Sequence, residues 1–317
     1  MSLLDLFKPK WRHSNRTIRL AAVRSLTDPQ TIDSILTEEA DEEIRAAAVS
    51  LLTDPARLQA FAASDQPKCI RMAAIDRIAD AEFLKSLIDK ERDSDMISLI
   101  LSRIPDRTLM LEIARSHKRR EVRLSAMALI VDPESLLRIA ERETDVEVRK
   151  AAAMRLSEPD AIEKIARMDA SHEIRIALLD RIGNSETLIR LLESERHPKV
   201  REALVDRIDD SRVLAQIART ETNSKIARRA AEKVTDEGVL QTLAEPERHP
   251  EVRLVAAQRI RSGDKLAEII RNDPSGTVRE AAVGRVSDRN VLAECAAGDS
   301  EAFVRKAASR RIAELGG

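Results

Sequence analysis

The chain of 317 residues is 34% charged and only 2% aromatic, with one Trp and no Tyr, a composition rich in helix formers and poor in the residues that favour strands. Its 54 Lys and Arg nearly cancel its 55 Asp and Glu, giving a net charge of −1. That excludes a global attraction for nucleic acid or an anionic membrane and leaves only local patches. With 8 Gly and 11 Pro in the whole chain and no linker-like stretch, one continuous all-α architecture is expected.

In chain order, Leu3, Leu4, Leu6, Phe7 and Trp11 come first, apolar bulk interrupted by Lys8, Lys10 and Arg12. The segment lacks the apolar core and small-residue cleavage site of a secretory signal. Residues 1–12 are expected to cap a solenoid spanning 13–317, because a stack of repeats exposes an apolar face at its end unless something covers it. No stretch approaches the ~18 apolar residues of a membrane span. Cys69 and Cys295 are too far apart to form the closely spaced framework of a secreted disulfide domain, so a reducing cytoplasm is the expected compartment.

From residue 13 a repeat takes over. Arg recurs at 19, 45, 71, 123, 149, 175, 201, 253, 279 and 305, all on one 26-residue ladder of twelve rungs; only Ile97 and Ala227 break it. Counting from the rung, positions −1, +3, +4 and +7 are apolar and share one face of a helix, whereas +1 and +5 point away. Position +3 is Ala in nine of twelve copies, small enough to let neighbouring helices approach closely. Position +9 is Asp, Glu, Asn or Ser in every copy, followed by Pro29, Pro55, Pro133 and Pro159, which predicts an N-cap and N1 proline opening a second, shorter helix. That helix is apolar at +13 and +16, as in Leu58 and Phe61 or Leu136 and Ile139. Helices this short are marginal alone, so the expectation is an all-α solenoid of about twelve 26-residue two-helix repeats, each burying its face on its neighbours. The twelfth copy has only its first helix, through Ile312 to Gly317.

An acid stands six residues before the rung in ten of twelve copies, as in Glu143 to Arg149 and Asp169 to Arg175. This acid-x5-Arg pattern and the Ala-rich helix after it resemble the HEAT repeat, in particular the short bacterial HEAT-like and leucine-rich-variant repeats. The resemblance implies a hydrogen-bonded ladder between layers, and a concave surface lined by the +1/+5 stripe. It also implies several possible occupations, since HEAT-like proteins include protein-binding scaffolds, bilin lyases and alkylbase DNA glycosylases.

Candidate sites are few. The rung arginines flank the buried face and have acidic partners, so Arg175→Ala is expected to destabilise. The +6 column (Arg77, Arg103, Arg155, Arg181 and others) lies in the last helical turn, where a cation suits the helix dipole. His197 and His249 stand two layers apart and cannot share one ion. No catalytic, cofactor or metal set can be assembled, and sparse aromatics argue against a nucleic-acid stacking platform. Two surfaces remain as candidate partner-binding residues. One is the apolar part of the +1/+5 stripe: Met72, Leu124, Ala128, Met154 and Ile176. It reads either as a groove for a protein partner or as ordinary exposed apolar surface. The other is the basic run Lys118, Arg119 and Arg120, either a solvated loop or a site for an acidic partner. As a loop residue, Arg119 is expected to tolerate alanine. Just before that run, the fourth copy loses both ladder partners together, with Ile97 at the rung and His117 in place of the acid.

Overall fold

The computed structural model describes residues 8–316. Among them are a 3₁₀ turn at Lys10–Arg12 and 23 α-helices, numbered α1 to α23 in chain order, with no strand. First helices begin at residues 16, 42, 68, 94, 120, 146, 172, 198, 224, 250, 276 and 302, and second helices at 29, 55, 81, 107, 133, 159, 185, 211, 237, 263 and 289. Both series keep the 26-residue period without slippage, so the chain is an α-solenoid of repeats. Its packing falls into two compact units that meet in sequence between Leu156 and Ser157.

The helices form where the sequence places caps and apolar faces. In the first unit Asp28, Asp54, Asp80, Asp106 and Asp132 each accept a backbone N–H of the second helix they open. This satisfies donors that helix geometry leaves orphaned. In the second unit Asn184, Asp210, Asp236, Ser262 and Asp288 do the same. Glu158 holds the position without a side-chain cap. The core follows the expected register: Ile70, Ala74 and Ile75 of α5 (Lys68–Ile75), then Ile78, then Leu84 and Leu87 of α6 (Ala81–Lys90), are all buried. Cys295 lies buried on the same second-helix column. Of the expected N-terminal cap, Leu3, Leu4, Leu6 and Phe7 lie outside the described residues. Trp11 sits in the 3₁₀ turn, with the Arg12 guanidinium 4.4 Å from its ring centre.

Within each unit an arginine ladder joins successive repeats. In the second unit Arg253 makes a two-pronged ion pair with Asp273, at 2.8 and 3.0 Å, and Arg279 pairs likewise with Asp299, at 2.8 Å on both prongs. The third nitrogen reaches a carbonyl before the arginine's own helix: Arg279 Nη1 donates to Asp273 O at 2.8 Å and Arg175 Nη1 to Asp169 O at 2.6 Å. Each carboxylate also accepts the N–H groups of its own loop, Glu195 from Arg196 at 2.8 Å and His197 at 2.7 Å. Burial alone would raise the Glu195 and Glu221 carboxyls, but Arg175 and Arg201, with the loop N–H groups, hold both below the ordinary carboxylate value. The first unit repeats the pattern with Arg19 to Glu39 and Arg71 to Glu91. It loosens at Arg45, which reaches only Gln66, at 3.5 Å. The second helix that follows, α4 (Pro55–Ala62), ends two residues earlier than most, and Asp65 is left exposed.

A second set of cations closes the other end of the first helices. Arg155 donates to Met127 O at 2.5 Å, Lys233 to Asp206 O and Ile208 O at 2.6 and 2.7 Å, and Arg259 to Glu232 O at 2.7 Å. Each serves the last turn of the preceding repeat's first helix, whose carbonyls have no partner within the helix. In these copies the +6 cation is structural, as its place in the sequence suggests.

Arg253 is 3% exposed and Asp273 5%, so removing one partner strands a charge in the interior. Arg253→Ala is expected to cost about 3–5 kcal/mol. Arg310→Ala, at a residue whose side chain is 75% exposed, should shift stability by no more than about 0.5 kcal/mol. Urea unfolding of the two variants beside the parent checks the contrast.

Candidate partner-binding site

The apolar stripe lies on the first helices. In the first unit Met72 (α5) and Leu124 of α9 (Arg120–Leu129) are half-buried. Ala128 is exposed at the end of α9, and Met154, 42% exposed, caps the C-terminus of α11 (Val146–Ala153). In the second unit Ile176 is half-buried on α13 (His172–Leu179). The +1 side chains thus rest partly against neighbouring helices, while the +5 side chains face solvent. Acids further along the stripe are largely paired: Asp180 with Arg207 and Asp206 with Arg229.

The basic run does not present three free cations. Lys118 Nζ lies 3.4 Å from Asp89, and Arg120 Nε 2.6 Å from Asp145. Arg119 turns inward and donates to Glu91 O at 2.5 Å and to Ile88 O. Regular rungs serve the carbonyls six and nine residues upstream: Arg201 donates to Glu195 O at 2.9 Å and Leu192 O at 2.8 Å, and Arg71 to Ala62 O at 3.3 Å. For the defective rung Ile97, those two carbonyls belong to Glu91 and Ile88. Arg119 therefore brings a guanidinium from the next repeat into the place the missing arginine left, and the expectation that it tolerates alanine is corrected. A sequence signal existed: Arg119 occupies the N-cap position of α9, where Asp41, Asp93 and Asp145 stand in other copies, and it appears one repeat after the lost rung. Arg119→Ala is expected to leave two carbonyls unmet and to destabilise by about 1–3 kcal/mol. Ile97→Arg combined with His117→Glu should restore a regular rung and recover most of that loss in the same unfolding assay.

His117 takes the position of the missing acid. Its Nδ1 accepts the Arg119 N–H at 3.2 Å and its Nε2 lies 3.4 Å from Asp89. Burial pushes its pKa down; Asp89 opposes this, while Arg119 and Lys118 add to it. His197 is lowered in the same sense, by burial first and then by His172 and Arg175. The unfolded chain protonates such imidazoles near pH 6.5, the folded chain only at lower pH. Their contribution is therefore complete above that value and lost as the pH falls below it. The melting temperature should drop between pH 7 and 5.5, and His117→Gln should make that drop shallower.

His172 and His197 form a contact the sequence did not announce, stacked with ring centres 4.2 Å apart and planes 11° from parallel. The same register is occupied in the first unit by Arg16 with Asp41, Lys68 with Asp93 and Arg120 with Asp145. Lone pairs of parallel rings lie in separate planes and do not converge on one ion. Among the described residues no group of three or more His, Cys, Asp or Glu is placed to hold a metal. Both cysteines are free thiols, and burial raises the pKa of Cys295, the opposite of what a nucleophilic thiolate needs. No described helix is long and apolar enough to cross a membrane.

No protein-family model and no curated protein matches the chain. Among solved structures, one described as "Computational Design of Self-Assembling Cyclic Protein Homooligomers" is similar over 90% of this chain and 94% of that one, at 14% identity and a TM-score of 0.10. Likeness at that level carries no argument about function.

Proposed function

We propose that the chain is a HEAT-like, non-enzymatic scaffold of the bacterial cytoplasm, which binds a protein partner through the outward face of its first helices. The observation that carries this reading is the apolar content of that face. Met72, Leu124 and Met154 in the first unit and Ile176 in the second leave thioether and aliphatic surface open to water, and such surface stabilises a protein only when something covers it. Most cations of the ladders, by contrast, are engaged within the chain, as Arg175, Arg201, Arg253 and Arg279 are. Ala128 and Met154 are the members of the stripe whose replacement least disturbs the core, because both are exposed.

The test is affinity capture from extract of the native cell, using the parent and an Ala128→Arg/Met154→Arg variant of unchanged melting temperature. A protein retained by the parent and lost by the variant is the expected result. Equal capture by both, or recovery of nucleic acid or a tetrapyrrole in place of protein, would overturn the reading in favour of a HEAT-like nucleic-acid binder or enzyme.

A further inference from the structure

The second helices carry a charge pattern that the repeat itself makes interpretable. Positions +18 of one repeat and +15 of the next meet across adjacent second helices. Arg271 pairs there with Glu294 at 2.9 Å, and Arg219 with Thr242 at 2.7 Å. The same two positions in the first unit are Arg115, on α8 (Arg107–Ser116), and Arg138, on α10 (Pro133–Arg142). Two cations thus stand where those two junctions place complementary groups.

The second unit contains one other Arg–Arg combination at this register, Arg167 and Arg190, and shows how it is tolerated. Glu163, at position +14, pairs with Arg167 and also with Arg190, at 3.2 Å to the latter. One carboxylate neutralises both. In the first unit the residue at +14 is Leu111, so the pair Arg115 and Arg138 lacks its bridging acid. Arg142, one turn along α10, adds a third guanidinium.

All three arginines line a groove of about 520 Å³ between α8 and α10, with Leu111 and Ile139 as apolar wall. Arg115 and Arg142 have no hydrogen-bond or ion-pair partner among the described residues. Arg138 makes one contact, 3.0 Å to Glu134 on its own helix, where the carboxylate is 80% exposed. The two acids of the groove are already engaged. Glu112 accepts from Lys85 at 3.0 Å, while Glu143 accepts the Thr144 and Asp145 N–H groups and lies 3.9 Å from Arg123.

We infer that the groove between α8 and α10 is a binding site for a carboxylate, supplied by an acidic side chain of a partner peptide that takes the place Glu163 holds between Arg167 and Arg190. Guanidinium groups recognise carboxylates through forked, charge-assisted hydrogen bonds, and Leu111 and Ile139 offer apolar contact to the carbon chain of a glutamate. The site lies on the second helices and does not depend on the first-helix face of the scaffold reading, so the two fail separately.

The test uses the full chain with fluorescein-labelled hexaglutamate as probe, read by fluorescence anisotropy at low salt, and sodium tripolyphosphate as a second probe, read by calorimetry. Leu111→Glu installs the missing bridge from within, and should weaken hexaglutamate binding at least tenfold while holding or raising the melting temperature. Arg115→Gln, at an exposed position, should weaken it similarly; Leu111→Gln, equally polar but uncharged, should bind within threefold of the parent. The inference is overturned if Leu111→Gln loses as much as Leu111→Glu, or if Arg115→Gln binds as the parent does. Arg115-dependent binding of tripolyphosphate without any of hexaglutamate would overturn the carboxylate assignment.

Discussion

A guanidinium held between two repeats is the contact on which the rest of the architecture depends. Apolar faces bring short helices together but are nearly indifferent to sliding, because Ile, Val, Leu and Ala recur at the same positions in every copy. The arginine is not indifferent. Arg279 must reach Asp299 with two nitrogens and Asp273 O with a third, and Asp299 must at the same time accept the N–H of Glu301 at 2.8 Å. Those directional bonds fix the spacing between the end of one second helix and the start of the next first helix. Period and register then follow, and the 26-residue repeat runs through all twelve copies without an insertion.

The irregular copies show the same requirement from its failures. When the second helix ends early, as α4 does, the acid is carried out of reach and Arg45 is left with a long contact to an amide. When the arginine itself is absent, at Ile97, the carbonyls it would have met still need donors in a partly buried place, and Arg119 supplies them from the following layer. The cost of leaving buried carbonyls unmet sustains the geometry even where the residue that usually meets them is lost.

A repeat protein also serves as its own reference. Twelve copies of one framework show which charge arrangements the packing brings together, so a departure in one copy can be read against the others. The triad Glu163, Arg167 and Arg190 is complete, whereas Leu111, Arg115 and Arg138 at the same register is not. Similarly, the register that holds Arg16 with Asp41 holds two stacked imidazoles at His172 and His197.

The sequence by itself determined the helical class, the period, the caps and the buried columns, because each depends on local chemistry: apolar spacing, Asp or Ser before a helix, Pro at its first turn. It also indicated the ladder, since arginine and acid recur together and are lost together at Ile97 and His117. What only the tertiary structure decided was which copy each polar group serves. Arg119 looked like part of a solvated basic run, yet its side chain turns inward to carbonyls 28 and 31 residues upstream. His197 shares its repeat position with His249, but its ring lies on His172, at a different repeat position in the adjacent layer. The Arg115 and Arg138 groove became visible only once +18 and +15 of adjacent layers were seen to meet. The physical reason is common to all three. Periodicity along the chain reports which face a residue occupies, whereas a long polar side chain chooses its partner by the offset between layers, and packing alone sets that offset.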